Sequence, residues 1–219
     1  MLPLAGAALL IDPGWRARAI TSGLALSDSA SAALNLGADA PVYSDREVTP
    51  FERYPLNSYL THDPEVDLDE WRLRVDGLVH TPRDYSLDDI RALPRVRQNT
   101  RHICIEGWDV IGSFGGVRVA DFLVAVGADP RARFIEIRCA DDYYESLDIE
   151  SARHPQSLLC DEMYGRPLTR EHGAPLRLVL PTKLGYKQAK YLVSLRVTNV
   201  LGPKRGYWVD QGYGWYGGL

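Results

Sequence analysis

The feature that most constrains the fold is a series of short strand-like segments, separated by turn residues, over residues 71–200. Residues 133–140 alternate between apolar and other side chains, residues 176–180 form a mostly apolar run before Pro181, and residues 191–200 alternate again. These segments do not follow a regular strand–helix–strand order, so a parallel α/β sheet is not expected. The pattern predicts an α+β fold dominated by mixed sheets, with a few short helices.

Local signals place several of these elements more closely. Residues 71–75, followed by Asp76-Gly77 and then by Leu78-Val79, are typical of a β-hairpin. The last long strand is expected to place alternate apolar residues on one face. These are Tyr191, Val193, Leu195 and Val197.

Two short helices are predicted between the strands. Ser86 and Asp89 have the spacing of a capping box, and Pro94 ends this first helix. The second helix covers residues 119–126, and Gly127 follows its end.

The first 45 residues differ in composition from the rest of the chain. Residues 2–11 form an apolar run with the length of a signal-peptide core, but no basic residue precedes it. The run is therefore either a terminal strand or helix, or part of a signal for which residues 30–32 would suit cleavage. We predict that residues 1–45 form an extension and linker, and that residues 46–219 form one domain.

Composition excludes several classes of protein. The chain has 219 residues, enough to bury a core without disulfides. Its 25 basic and 29 acidic residues give a net charge of −4, which argues against nucleic-acid binding. The three cysteines form no CxxC pair and the five histidines form no local metal-binding pair. The chain contains no uninterrupted apolar run of about 20 residues, so no membrane span is predicted.

Cys104 is the first candidate for chemistry, within the segment 101–108. Cationic neighbours lower the pKa of a thiol, and Arg101 and His102 are the nearest candidates. If the segment is a strand, only His102 and Glu106 share the face of Cys104. The spacing alone leaves two interpretations open, a reactive or ligating cysteine and a buried structural one.

The loop 182–190 is the second candidate. It contains Lys183, Lys187 and Lys190 around Gly185, and Arg177 precedes it. Glycine lets a backbone approach a ligand closely, and ammonium groups suit a phosphate. The alternative is a solvated basic loop.

Two further segments carry weaker signals. Residues 141–145 combine carboxylates with tyrosines, which suits either acid–base work or an acidic turn after a strand. Residues 206–218 are dense in aromatic side chains. Such a segment either packs against the domain, covers a cofactor pocket or meets a partner.

Taken together and in order, these motifs resemble the sulfite oxidase-like molybdenum enzymes over residues 69–219. The resemblance is carried by Cys-x-Glu-x-Trp at Cys104, Cys-Ala-Asp-Asp at Cys139, His-Gly-Ala-Pro-Leu-Arg at His172, and Gly-Tyr-Lys-Gln-Ala-Lys ending at Lys190. The chain is similar to the single-domain bacterial branch that includes the catalytic subunit of a periplasmic methionine sulfoxide reductase. This family has a sulfite oxidase-type molybdopterin-binding fold.

The resemblance implies a role for each matching residue. Cys104 would be the catalytic cysteine and the single protein ligand to molybdenum in a Mo-molybdopterin cofactor. Where the reductases often have asparagine this chain has His172, and Cys139 replaces a threonine. The other residues implied to bind the cofactor are Asn57, Cys139, His172, Arg177, Gln188, Ala189 and Lys190.

The same resemblance implies an enzyme that transfers an oxygen atom to or from a small substrate such as a sulfoxide or sulfite. Electrons would be exchanged with a separate partner, a membrane haem b subunit or a cytochrome c. A monomeric periplasmic protein is implied, with a cytoplasmic one as the alternative. A non-catalytic molybdopterin-binding module and a metal-free structural protein are the rival interpretations.

Overall fold

This computed structural model describes residues 26, 30, 38–58, 60 and 62–219. The apolar run at residues 2–11, most of the predicted extension and residues 31–32 of the candidate cleavage site lie outside the described residues. The boundary after residue 45 therefore stays a prediction. None of the helices in the described part combines the length and the apolar character that crossing a bilayer requires.

From residue 38 onward, the described chain forms ten strands, three short α-helices and three 3-10 turns. The strands are β1 (Leu73–Gly77), β2 (Arg83–Tyr85), β3 (Arg95–Ile103), β4 (Asp109–Arg118), β5 (Phe134–Cys139), β6 (Tyr144–Asp148), β7 (Leu158–Met163), β8 (Arg166–Pro167), β9 (Arg177–Val179) and β10 (Leu192–Thr198). The helices are α1 (Leu87–Arg91), α2 (Val119–Ala125) and α3 (Ile149–Arg153), and the 3-10 turns are Phe51–Arg53, Arg170–His172 and Gly185–Lys187.

The strands form two sheets. The first has the order β2-β1-β10-β5-β6, in which only the β1–β10 pair is parallel. The second has the order β3-β4-β7-β8, and β9 pairs with β7 beside β8. This arrangement confirms the predicted α+β class with mixed sheets and few helices.

Both predicted helices form where their end signals place them. Ser86 Oγ accepts from the Asp89 backbone N–H, and the Asp89 carboxylate accepts from the Ser86 N–H, which completes the capping box. Helix α2 ends before Gly127, whose φ of +65° favours glycine. These two helices are fixed by local chemistry.

The predicted two-residue hairpin is wrong. β1 pairs with residues 83–85, not with Leu78-Val79. Val79 instead forms a bridge with Ala128, which takes this segment out of the sheet. Register therefore follows tertiary contacts that the dipeptide Asp76-Gly77 does not encode.

The predicted alternation along the last strand is also wrong at its start. The register of β10 against β5 shifts between Leu192 and Ser194, so that Leu192 is fully buried and Val193 is only half-buried. Tyr191 lies before the strand, with φ of +57°. From Leu195 onward the predicted alternation holds.

The main core lies between the first sheet, helix α2 and one face of the second sheet. It buries Leu73, Ile137 and Leu195 from the first sheet and Phe122 from α2. A smaller apolar cluster, centred on Phe114, packs on the other face of the second sheet. Because both faces of this sheet are covered, its strand ends are held rigidly.

Turns from both sheets converge on one side of the molecule. These are the β3–β4 turn, the β5–β6 turn, the β9–β10 loop and the segment after β10. Residues 55–58, before β1, reach the same place through Asn57. This convergence of loops on a rigid frame creates the cavity described next.

Candidate active site

A cavity of about 390 Å³ lies where these loops meet. That volume is within the usual range for small-molecule sites. Its lining combines one thiol, cationic and acidic groups and several aromatic rings. The lining residues are Asn57, Ser58, His102, Cys104, Ile105, Glu106, Asp141, Tyr143, Arg177, Gly185, Tyr186, Gln188, Ala189, Lys190, Tyr207, Trp208 and Tyr213.

Cys104 lies in the tight turn between β3 and β4. β3 ends at Ile103, so the expectation that Cys104 and Glu106 share a strand face is wrong. The Cys104 N–H donates to the Trp108 carbonyl, and the Gly107 N–H donates to the Cys104 carbonyl. Gly107 has φ of +94°, a conformation that glycine adopts without strain. The turn holds the thiol at the cavity wall.

Cys104 is 8% exposed, and its thiol lies beside two polar side chains. Asn57 Nδ2 and Glu106 Oε2 are each 3.7 Å from its sulfur. Glu106 Oε2 also accepts from Asn57 Nδ2 and from the Trp108 indole N–H, which holds the group in place. Burial raises the pKa of the Cys104 thiol, and the Glu106 carboxylate raises it further. The cationic activation considered for Arg101 is absent here, since Arg101 pairs with Asp109.

Arg177 is a buried cation that lacks an ionic partner among the described residues. It is 4% exposed, and its Nη1 donates to the His172 carbonyl over 3.1 Å. Its Nε is buried without an acceptor, and within the described part of the chain no carboxylate pairs with it. An unpaired buried charge is costly, so this position favours an anionic ligand.

Two histidines near Arg177 are neutral. Burial, followed by the charge of Arg177, lowers the pKa of His102 to about 3 and that of His172 to about 4. His102 lines the cavity and stacks on Trp108, with ring centroids 5.6 Å apart. His172 lies behind the cavity wall, where it packs edge-on against Tyr54.

The β9–β10 loop supplies a second wall. Gln188 is fixed by its bonds to the Leu180 N–H and the Lys183 carbonyl, and the Ala189 carbonyl accepts from the Leu178 N–H. A Cβ at Gly185 would lie 2.8 Å from His102 Nε2, so only glycine fits this approach. The loop therefore presents its backbone to the cavity.

Lys190 is the one lysine of this loop that lines the cavity. Its Nζ donates to the carbonyls of Asn57 and Glu171 and lies 3.9 Å from Asp63 Oδ1. Burial, followed by the charge of Arg177, lowers its pKa to about 8. Lys190 therefore stays mostly protonated at neutral pH and adds to the positive charge at Arg177.

Both interpretations of the basic loop are wrong: the three lysines do not surround one phosphate, and the loop is not solvated. Lys187 is fully buried and pairs with Glu145 at 2.6 Å. Lys183 is also buried, with its ammonium group over the Tyr216 ring. These two lysines attach the loop to β6 and to the C-terminal segment.

The acidic and aromatic segments both reach the cavity. Asp141 is 8% exposed, accepts from the Tyr143 N–H, and has a pKa that burial raises. Tyr207, Trp208 and Tyr213 come from the C-terminal segment. Of the three roles considered for that segment, the structure shows packing and covering of the cavity.

Six of the eight residues that the resemblance implied line this one cavity. Cys139 and His172 are not among them, since Cys139 is buried in the main core and His172 packs behind Arg177. Gly185, which the sequence marked as a point of close backbone approach, lines the cavity. Ser58 lines it too, although nothing in the sequence identified it.

The donor set fits a cofactor that has both a soft metal and an anionic group. One cysteine faces the cavity, which suits a transition metal that prefers thiolate ligands. The unpaired guanidinium of Arg177, with Lys190 beside it, suits a phosphate. Gly185 leaves room for close backbone approach.

Comparison with known proteins agrees with this chemistry. A family model described as "Oxidoreductase molybdopterin binding domain" matches residues 60–208. A relative from Azospira oryzae, described as "Putative protein-methionine-sulfoxide reductase subunit YedZ1", is 46% identical over 181 residues. That alignment covers 82% of this chain and 68% of the relative.

More distant relatives share less of their length with this chain. A Ralstonia nicotianae protein, described as "Protein-methionine-sulfoxide reductase catalytic subunit MsrP", is 32% identical over 58% of this chain and 43% of its own. The chain thus spans less than half of that relative. The sulfane dehydrogenase SoxCD of Paracoccus pantotrophus has the same fold, with a TM-score of 0.59 and 22% identity over 63% of this chain and 40% of that one.

Proposed function

The chain belongs to the family of molybdopterin-binding oxidoreductase domains, with Mo-molybdopterin as its cofactor, and we propose that it transfers an oxygen atom from a small organic sulfoxide. In that reaction one sulfoxide, two protons and two electrons give one sulfide and one water, as the sulfur–oxygen bond breaks. Substrate and direction are supported by the descriptions of the two relatives as subunits of protein-methionine-sulfoxide reductases.

One observation carries the proposal: Cys104 and the unpaired Arg177 face the same cavity. Cys104 would ligate the molybdenum, and metal coordination would keep its thiol deprotonated despite burial. Arg177 and Lys190 would hold the anionic part of the cofactor, beside Gln188 and Ala189. Asn57 would contact the cofactor from the cavity wall, whereas Cys139 and His172 would act from behind it, because neither of them lines the cavity.

When bound, the cofactor supplies two-electron oxygen-atom transfer at molybdenum. The protein's own side chains orient and charge the site. Asn57 and Glu106 fix the direction of the Cys104 sulfur. Burial raises the pKa of Asp141, so its carboxyl group can hold one of the protons that the released water requires. The aromatic rings of the C-terminal segment keep bulk water from one side of the cavity.

Reduction of a sulfoxide consumes two electrons, and we propose that another protein supplies them. We propose a membrane haem b subunit or a cytochrome c as the donor, and a monomeric catalytic chain in the periplasm. The descriptions of the relatives as a "subunit" and a "catalytic subunit" support an assembly with a second chain. A pull-down of the holoprotein from a membrane extract, followed by haem absorbance spectroscopy, tests the partner.

Activity separates this proposal from a non-catalytic molybdopterin-binding module. Holoprotein from a molybdopterin-competent host is expected to reduce dimethyl sulfoxide with a reduced viologen dye as electron source. Cys104→Ser is expected to abolish turnover, whereas Cys160→Ser should retain it. The latter is a matched control, because Cys160 lies outside the cavity and a serine hydroxyl can keep its bond to the Glu162 carbonyl. A cofactor-loaded protein that reduces no sulfoxide and oxidises no sulfite would contradict the proposal.

A further inference from the structure

A continuous row of rings reaches the cavity, three from the C-terminal segment and Tyr186 from the β9–β10 loop. The ring centroids of Tyr207 and Trp208 are 5.3 Å apart, those of Trp208 and Tyr213 are 5.5 Å apart, and those of Tyr213 and Tyr186 are 5.8 Å apart. All four residues line the cavity. We call Trp208 and Tyr213 the aromatic wall, because Tyr213 is 38% exposed and Trp208 is half-buried beside it.

Backbone and side-chain bonds hold the aromatic wall in place. The Tyr213 N–H donates to the Trp208 carbonyl, and Gly212 between them has φ of +101°. The segment is attached to β6 through the hydroxyl of Tyr144, which donates to Asp210 over 2.6 Å. A rigid ring pair loses little conformational entropy when a ligand packs against it.

The polar side-chain groups of the aromatic wall make no hydrogen bond to any described residue. In the described chain, neither the Trp208 indole N–H nor the Tyr213 hydroxyl has a protein partner. The neighbouring hydroxyls are engaged, because Tyr186 OH donates to the Gly214 carbonyl and Tyr143 OH to the Tyr186 carbonyl. Two of the rings that line the cavity therefore combine an apolar face with a donor that no described residue uses.

The cavity is thus chemically divided. Cys104, Arg177 and Lys190 provide the thiol and the positive charge, and the aromatic wall provides apolar surface without charge. A small inorganic oxyanion such as sulfite has no apolar part that could use this surface. A sulfoxide with a hydrocarbon or aryl substituent has one, and its oxygen can accept a hydrogen bond.

We propose that Trp208 and Tyr213 determine substrate specificity by packing against the apolar substituent of an organic sulfoxide. This inference rests on the proposed function and names the residues that select among its substrates. The wall is expected to favour sulfoxides with a large apolar substituent over dimethyl sulfoxide, and to contribute nothing to the binding of inorganic oxyanions.

The test compares two sulfoxides on the holoenzyme. Trp208→Leu removes the ring, Trp208→Phe keeps an aromatic ring without the N–H, and Trp215→Phe is the matched control. Trp215 belongs to the same segment but donates to Ser146 Oγ away from the cavity. KM and kcat are measured with methyl phenyl sulfoxide and with dimethyl sulfoxide. The Kd of methyl phenyl sulfoxide is measured by calorimetry on oxidised enzyme without reductant.

Trp208→Leu is expected to raise KM and Kd for methyl phenyl sulfoxide roughly tenfold and to change KM for dimethyl sulfoxide less than threefold. Trp208→Phe and Trp215→Phe should stay within about threefold of the unchanged enzyme for both sulfoxides, since Trp208→Phe keeps an aromatic ring in the wall and Trp215 does not line the cavity. If Trp208→Leu fails to fold, Tyr213→Leu takes its place with the same expectation.

The outcomes separate the two proposals. Binding of methyl phenyl sulfoxide that weakens in Trp208→Leu, in an enzyme that never reduces it, would support the wall and contradict the reductase. If Trp208→Leu turns over both sulfoxides and its KM for each equals that of the unchanged enzyme, the role of the aromatic wall is overturned and the reductase proposal stands. No binding of methyl phenyl sulfoxide to the unchanged holoenzyme would also overturn the wall.

Discussion

Replacing Arg177 by methionine should have opposite effects on the cofactor-free and the cofactor-loaded protein. In the cofactor-free chain, Arg177 makes one hydrogen bond to the His172 carbonyl and has no described carboxylate partner. That bond contributes about 1.5–3 kcal/mol, whereas burying an unpaired charge costs several kcal/mol. The second effect is larger. Arg177→Met is therefore expected to raise the free energy of unfolding by about 1–2 kcal/mol.

In the loaded protein the same change removes a charge-assisted bond to the cofactor. Its loss, about 1.5–3 kcal/mol, corresponds to a roughly 10- to 150-fold weaker hold on the pterin. The measurements are urea unfolding of protein from a host without pterin synthesis, and pterin content after dialysis of protein from a competent host. Removing the positive charge should also raise the pKa of His172, which is followed by NMR.

Destabilisation of the cofactor-free protein by more than about 2 kcal/mol would show that Arg177 is structural, because loss of its one hydrogen bond cannot then be offset by relief of charge burial. Unchanged pterin content in the variant would refute the assignment of Arg177 to the anionic group. Arg196→Met is the control, because Arg196 is exposed on the first sheet and pairs with Asp76. Arg196→Met should change the free energy of unfolding by less than about 0.5 kcal/mol and leave the pterin content unchanged.

Three further predictions concern the frame of the site. Glu145→Gln should lower the free energy of unfolding by about 3–5 kcal/mol in urea titrations, because it leaves the buried Lys187 unpaired. The double variant Glu145→Leu with Lys187→Met should recover most of the loss. A double variant no more stable than Glu145→Gln would contradict this. Ser86→Ala should lower the free energy of unfolding by about 1 kcal/mol through loss of the helix cap. No change would show that the capping box contributes nothing. Burial holds the pKa of His172 at about 4, below its unfolded value, so unfolded protein binds more protons between pH 4 and 6.5 and stability should fall as pH drops through that range. His172→Phe should reduce this slope and leave the part that is due to His102, whose pKa is about 3. An unchanged slope would exclude His172 as a cause.

The elements that could be predicted from sequence are those that short-range chemistry fixes. The Ser86–Asp89 capping box and Gly127 after α2 act over three or four residues, and both helices form as expected. The strand around Ile135 and Ile137 also forms, because its alternation matches a half-buried sheet. The resemblance to the molybdenum enzymes then placed Cys104 and Arg177 in one site.

The features that sequence could not supply depend on distant partners. β1 pairs in parallel with β10, more than a hundred residues away, and nothing near Asp76-Gly77 encodes that choice. The bulge before Ser194 reverses the faces of β10 at its start. The sequence favoured Lys187 as a phosphate ligand, but in the fold its ammonium group pairs with the buried carboxylate of Glu145. A basic residue in a loop does not reveal which carboxylate it will meet.

The most direct test of the proposed metal site is the molybdenum content of purified protein from a molybdopterin-competent host, measured beside that of Cys104→Ser and Cys160→Ser. We expect about one molybdenum per chain in the unchanged protein and in Cys160→Ser, and markedly less in Cys104→Ser, because one thiolate at the cavity wall anchors the metal. Equal molybdenum content in all three proteins, or none in any of them when the host's own molybdoenzymes are loaded, would contradict it.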